Sequence, residues 1–217
     1  MPRAGDLPDN VARWTVDPRR AALLIHDMQK YFVNFFRQGE PPVPNLIHNI
    51  GLLRERCTKL GVPIGYTAQP GGMTEQERGL LKDFWGPGMT IDAEHRAVVD
   101  ELAPNPVDGM FTKWRYSAFH RSDLLDFLRS QGRDQLIICG VYAHVGCLMT
   151  ACDAFTHDIE TFLVADAVAD FSWSYHQLAL NYAAQRCART PLTGTVLAEL
   201  GGLDTGARQP AISSSAR

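Results

Sequence analysis

The sequence predicts an α/β protein: a three-layer, Rossmann-like fold with a central six-stranded parallel sheet flanked by helices. Three observations carry this. The short apolar runs at 21–25 (AALLI), 136–139 (LIIC) and 161–164 (TFLV) show no polar alternation, as strands buried on both faces require. Helical spacing of apolar residues follows each run, and strands separated by crossover helices pair in parallel. Polar residues, Asp27, Gln69 and Lys113, stand where strands end, which is where an open parallel sheet holds its ligand.

The first strand, 21–25, ends at His26-Asp27. Asn45 is placed to cap a helix whose apolar positions Leu46, Ile47, Ile50, Leu53, Cys57 and Leu60 recur at helical spacing, and Gly61 stops it. A second strand is expected at 62–67 and a short third at 110–113, followed by a helix over about 122–130. The fourth strand, 136–139, leads through Gly140 into a helix at 145–156. The fifth strand, 161–164, precedes a helix over 174–188, and a short sixth strand with a last helix at about 195–200 closes the fold. These elements form one domain, 1–205, and the Ser/Ala-rich stretch 206–217 reads as a flexible tail. The stretch 66–90 holds Pro70-Gly71-Gly72 and then Asp83-Phe84-Trp85-Gly86-Pro87-Gly88; it is too long and aromatic for a plain connector and reads as an ordered lid.

Bulk properties narrow the function. The 217 residues are 45% hydrophobic with a formal charge of −3, and no Lys/Arg run marks a nucleic-acid or lipid-surface binder. No apolar stretch approaches the roughly 20 residues that span a bilayer. The N-terminal residues lack a signal pattern, and the five scattered cysteines read as reduced thiols rather than a disulfide framework. A cytoplasmic location and a small-molecule partner are therefore expected, with no nucleic acid and no membrane.

Several residues suit chemistry. Asp27, at the end of a buried strand, would be partly desolvated and its pKa raised, which suits acid work; alternatively it caps the next turn. Lys113 lies among Met110, Trp114 and Tyr116, where it either pairs with a carboxylate such as Asp27 or snorkels. Arg78 and Gln69 bring a guanidinium and an amide to the lid, and a guanidinium grips carboxylates in a fork, although a solvated loop Arg is the plainer reading. The turn from Gly140 to Gly146 would present N–H groups to an anion or a developing oxyanion. Seven dispersed histidines make no tight ligand pattern, so no metal or other cofactor is expected, and His26, His144 and His176 read as hydrogen-bonded structural residues. Cys147, at an expected helix N-terminus where thiolates are favoured, is a rival nucleophile.

Six strings occur in order: LLIHDMQKYF (23–32), YTAQPG (66–71), RGLLKDFWGPGM (78–89), KWRYSAF (113–119), GVYAHVGC (140–147) and VADAVADFS (164–172). Together they resemble the isochorismatase branch of the cysteine-hydrolase superfamily from about Val11 to Leu200. In amidase members of that superfamily the turn after the fourth strand ends in a nucleophilic Cys; the resemblance places that position on Gly146, and Cys147, about 100° further round a helix, should point away from substrate. Zinc-binding amidases carry Asp-x-His-x-x-His near the second strand, where this chain has Thr67-Ala68-Gln69-Pro70.

The resemblance implies a metal-independent hydrolase that cleaves an enolpyruvyl ether without a cysteine nucleophile. Asp27 would protonate the terminal methylene, Lys113 would lie beside it, and Gln69, Arg78, Tyr142 and the backbone of Gly146 would bind the substrate's carboxylates and hydroxyl. Trp85 would cover the ring. Isochorismate, as in siderophore pathways, and 2-amino-2-deoxyisochorismate, as in phenazine pathways, both stay open as substrate. No carrier motif follows Leu200, which points to a free-standing enzyme. The resemblance also implies a homodimer, with a carrier protein or a dehydrogenase open as downstream partner. Two rival classes are a cysteine-dependent amidase using Cys147 and a non-catalytic scaffold that binds synthetase partners.

Overall fold

The computed structural model describes residues 1–201; the stretch 206–217 and the domain limit at 205 lie outside the described residues. In chain order come β1 (Ala21–His26), α1 (Lys30–Val33), α2 (Val43–Leu60), β2 (Ile64–Ala68), α3 (Glu75–Arg78), α4 (Leu81–Trp85) and α5 (Ala93–Arg96). Then follow β3 (Gly109–Thr112), α6 (Leu124–Ser130), β4 (Gln135–Val141), α7 (Leu148–Thr156), β5 (Glu160–Ala169), α8 (Trp173–Arg186) and α9 (Thr193–Gly201).

All strand pairs are parallel, in the order β3-β2-β1-β4-β5. The sheet therefore has five strands, not the expected six. The sixth segment does run beside β5: Arg189 N–H donates to Thr161 O (2.9 Å), Leu163 N–H to Arg189 O (2.9 Å) and Ala165 N–H to Pro191 O (2.8 Å). Pro191 has no N–H for the next rung, so the pairing stops at an isolated bridge, Phe162 to Arg189.

The apolar runs bury both sheet faces. Leu23, Ile25, Ile137 and Cys139 pack against α2 and α9 through Leu46, Ile50, Leu53 and Val196. Leu24, Leu136, Ile138 and Leu163 pack on the other side against Leu128 of α6, Ala151 of α7 and Leu180 of α8. Helices thus cover both faces, as the three-layer reading requires. Among the described residues no helix is long and apolar enough to cross a membrane.

Three differences from the sequence reading have a clear physical reason or shape the site. Helix α2 starts at Val43 rather than after Asn45, because Pro44 fits the first turn, where its missing N–H has no intrahelical partner to lose; Gly61 ends it with φ 66° as expected. Strand β5 runs on to Ala169 through a register slip, Ile138 facing Leu163 but Gly140 facing Val168. Asp166 holds the slip, its Oδ1 accepting from Thr193 N (2.6 Å) and Thr193 Oγ1 (2.8 Å). Finally, the segment after β4 begins with a π-helical turn, Ala143–Cys147, before α7.

Strands β1 and β4 are neighbours whose connections leave to opposite faces, which opens a crevice beyond their carboxyl ends. The lid folds over this crevice as α3 and α4, tied down where Gly72 N–H donates to Met89 O (2.7 Å).

Candidate active site

Asp27 follows β1 directly and takes a left-handed backbone, φ 50°, which a non-glycine residue holds only when its surroundings fix it. Thr67 supplies the fixing. It sits opposite His26 in the β1–β2 register, accepts from Asp27 N–H at 3.0 Å and donates its hydroxyl to Asp27 Oδ1 at 2.5 Å. Lys113, the residue after β3, donates from Nζ to Asp27 Oδ2 at 3.2 Å, and both side chains are buried. Three adjacent strand ends thereby meet at one carboxylate.

Burial pushes the Asp27 carboxyl up, but the Lys113 ammonium, His26 and the Thr67 hydroxyl together outweigh it and hold the group below the usual carboxylate range. This corrects the expectation of a raised value. The carboxyl is desolvated as foreseen, yet the cation 3.2 Å away, together with His26 and the Thr67 hydroxyl, stabilises its charged form more than burial penalises it.

Arg78 is also buried, which overturns the plainer reading of a solvated loop residue. Helix α3 and the turn after α4 enclose it: Nε donates to Gly86 O (2.9 Å), Nη1 to Gln69 Oε1 (3.3 Å) and Nη2 to Trp85 O (3.4 Å). Two carbonyls and an amide accept from it, and no carboxylate does so among the described residues, so its charge is not neutralised by an ion pair. Gln69 is held in turn by Gln29, whose Oε1 accepts from Gln69 N–H at 2.7 Å. Tyr142 differs in part from its expected role. Its hydroxyl already donates to Phe32 O at 2.8 Å, so it offers the cavity a ring, packed 4.0 Å from Phe171, rather than a free O–H.

Asp27, Gln69, Arg78, Trp85, Lys113, Tyr142 and Gly146 all line one cavity of about 160 Å³, enough for one small molecule. A larger groove of about 1020 Å³ runs along the outer side of α2, but it is open and contains none of these strand-end residues. Trp85 donates from Nε1 to Tyr116 Oη (2.9 Å) and stacks on Phe171 at 6.0 Å, forming an aromatic wall. Among the described residues no group of three or more His, Cys, Asp or Glu is placed to hold a metal.

Sequence reasoning gave no site role to Thr67, Tyr31, Arg115, Tyr116 and Phe171. Tyr31, Arg115, Tyr116 and Phe171 also line the cavity. The signal lay in the same strings as their neighbours: Arg115 and Tyr116 follow Lys113 by two and three residues, and Phe171 stands two residues beyond the end of β5. Cys147, by contrast, is fully buried among Leu148, Ala151 and Leu163, away from the cavity. Burial pushes its thiol well above the ordinary range, which counts against the rival reading of Cys147 as an activated thiolate nucleophile.

The isochorismatase domain model matches residues 21–193. The chain belongs to the isochorismatase family. It is 54% identical over 200 residues to the isochorismatase of Bacillus subtilis, covering 92% of this chain and 64% of that protein. The chain thus spans under two thirds of that relative's length. It is 56% identical over 202 residues to phenazine biosynthesis protein PhzD1 of Pseudomonas aeruginosa, covering 91% of this chain and 94% of that one. Among solved structures, a cysteine hydrolase from Pseudomonas syringae superposes with a TM-score of 0.79 at 23% identity, over 90% of this chain and 98% of its own. At that identity the likeness establishes the shared parallel-sheet fold.

Proposed function

We propose that this isochorismatase-family chain hydrolyses the enolpyruvyl ether of isochorismate or 2-amino-2-deoxyisochorismate, with Asp27 as the acid. One observation carries the reading. The cavity holds a buried carboxylate paired with a lysine, while the thiol beside it, Cys147, is turned into the core. Such a site is equipped to move a proton and has no sulfur nucleophile to acylate.

The protonated Asp27 gives its proton to the terminal methylene of the enolpyruvyl group. Electrons of the ether oxygen support the resulting cation, water adds to that carbon, and the added water returns a proton to Asp27. The hemiketal then collapses, its C–O bond to the ring oxygen breaking, to give pyruvate and a dihydroxylated or amino-hydroxylated cyclohexadiene carboxylate. The substrate brings two carboxylates next to Asp27, and like charges raise a carboxyl pKa, which offsets Lys113 and loads the acid only when substrate is bound. Arg78, with no carboxylate of its own to satisfy, would take a substrate carboxylate in a bidentate grip supported by Gln69. Trp85, Tyr142 and Phe171 would cover the ring and exclude bulk water. A homodimer and a downstream carrier protein or dehydrogenase belong to the same reading and rest on the family resemblance; a cytoplasmic location rests instead on the free cysteines.

The reaction is tested by incubating the protein with each substrate in ¹⁸O-labelled water. The proposal requires pyruvate and a ring product whose hydroxyls contain no label, because water attacks the enolpyruvyl carbon. Label in a ring hydroxyl would place the attack on the ring, and absence of pyruvate from both substrates would overturn the reading.

A further inference from the structure

Gly146 faces the cavity, yet no side chain fits there. A Cβ built on Gly146 would stand 2.2 Å from His26 Cε1, 3.0 Å from Nε2 and 3.1 Å from Nδ1. The obstacle is a ring and not the end of a flexible chain. His26 is fully buried and clamped from several sides. Its backbone lies against Gly140, where a Cβ would come 2.1 Å from His26 O. A carbonyl can only accept, so Nδ1 carries the proton and donates to Val141 O at 2.9 Å; Nε2 then accepts from Thr150 Oγ1 at 3.3 Å. The same Nδ1 lies 3.6 Å from Asp27 Oδ2. The ring therefore touches three parts of the site at once: the end of β4, the turn that carries Gly146, and the carboxylate.

We propose that His26 is a positioning residue that keeps position 146 free of any side chain, and so commits this site to chemistry without a nucleophile there, while aligning Asp27 with the end of β4. The kinetic half of this inference rests on the ether hydrolysis proposed above; the packing half does not. Burial pushes the imidazole down to about 4, so at neutral pH the ring is uncharged and acts by shape and hydrogen bonds. It does not relay the substrate's proton, because both of its nitrogens are engaged with Val141 and Thr150.

The inference makes positions 26 and 146 interdependent, which a double-mutant cycle measures. Unfolding temperature and the kinetics of pyruvate release are compared for wild type, His26→Ala, His26→Asn, Gly146→Ala and His26→Ala/Gly146→Ala. Gly146→Ala should lower the unfolding temperature and cut kcat by about 100-fold, and the double variant should recover to the level of His26→Ala alone. His26→Ala should lower kcat about tenfold with KM within about threefold, since a misaligned acid costs turnover more than binding. His26→Asn, which keeps an N–H for the Val141 carbonyl, should regain most of that loss.

Additive losses in the double variant, or an unchanged kcat in His26→Ala, would overturn the inference. Should His26→Ala fail to fold, His26→Asn/Gly146→Ala decides the same question, because asparagine has no atom where Cε1 stands. If the wild type releases no pyruvate, the reaction fails as a reading, and the unfolding temperatures alone decide whether His26 excludes a side chain at 146.

Discussion

Lys113 Nζ lies 3.2 Å from Asp27 Oδ2 with both side chains buried, 3% and 8% exposed. Removing one partner of such a pair leaves a charge in a dry site, at a cost of about 3 kcal/mol. Lys113→Met should therefore lower stability to urea by that order at pH 8. The loss should shrink toward pH 5, because burial of Asp27, no longer opposed by the lysine, raises its pKa and lets it take a proton. An equal loss at both pH values would show that Asp27 is not the group left uncompensated.

The acid must be protonated to act, so activity should fall as pH rises. In the empty protein Asp27 is held below the usual carboxylate range, so the limb in kcat/KM, which reports the free enzyme, should lie at low pH. With the substrate's carboxylates beside it the group titrates higher, and the limb in kcat should lie at higher pH than that in kcat/KM. Coincident limbs, or activity that rises with pH, would contradict the assignment of Asp27 as acid.

Arg78 donates through three nitrogens to fixed carbonyl and amide oxygens, so its fork is oriented before any ligand arrives. Lysine keeps the charge and loses the fork. Arg78→Lys should raise KM about tenfold, equivalent to about 1.4 kcal/mol of binding, with a smaller change in kcat. Steady-state kinetics check this, and a fall in kcat at constant KM would assign Arg78 to the transition state instead.

His26 also links stability to pH. Its folded pKa is lowered to about 4 from an unfolded 6.5, with burial the leading cause and Asp27 and Lys113 the charged groups that bear on it. Between those values the unfolded chain binds more protons than the folded one. The contribution is thus complete above pH 6.5 and is lost as pH falls toward 4, by about 3 kcal/mol. Thermal unfolding of His26→Asn should show a shallower decline across that window; a slope identical to wild type would contradict it.

Much of the architecture was legible because it is local. The unbroken apolar run of β1, the helical spacing in α2 and Gly61 at its end each act over a few residues. What escaped depends on distant partners. Arg189 and Pro191 look like a strand, but only their place beside β5 shows that proline removes the next rung. Asp27 reads as a desolvated acid with Lys113 as a partner, but that the lysine, His26 and Thr67 together outweigh burial depends on groups up to 86 residues away. His26 reads as a structural histidine, which is true of its hydrogen bonds; that its ring occupies the room above Gly146 is a relation across the β1–β4 switch point that no spacing reveals.

The central claim is that the carboxylate at the end of β1 is the acid and that the neighbouring thiol takes no part. It is tested most directly by pyruvate release from isochorismate and from its 2-amino analogue, comparing wild type, Asp27→Asn and Cys147→Ala. The account predicts that Asp27→Asn loses activity by at least about 100-fold, the lower range for a general acid, while Cys147→Ala, whose thiol is sealed in the core, releases pyruvate at close to the wild-type rate. Activity that survives Asp27→Asn, or that disappears with Cys147→Ala in a folded protein, would contradict it.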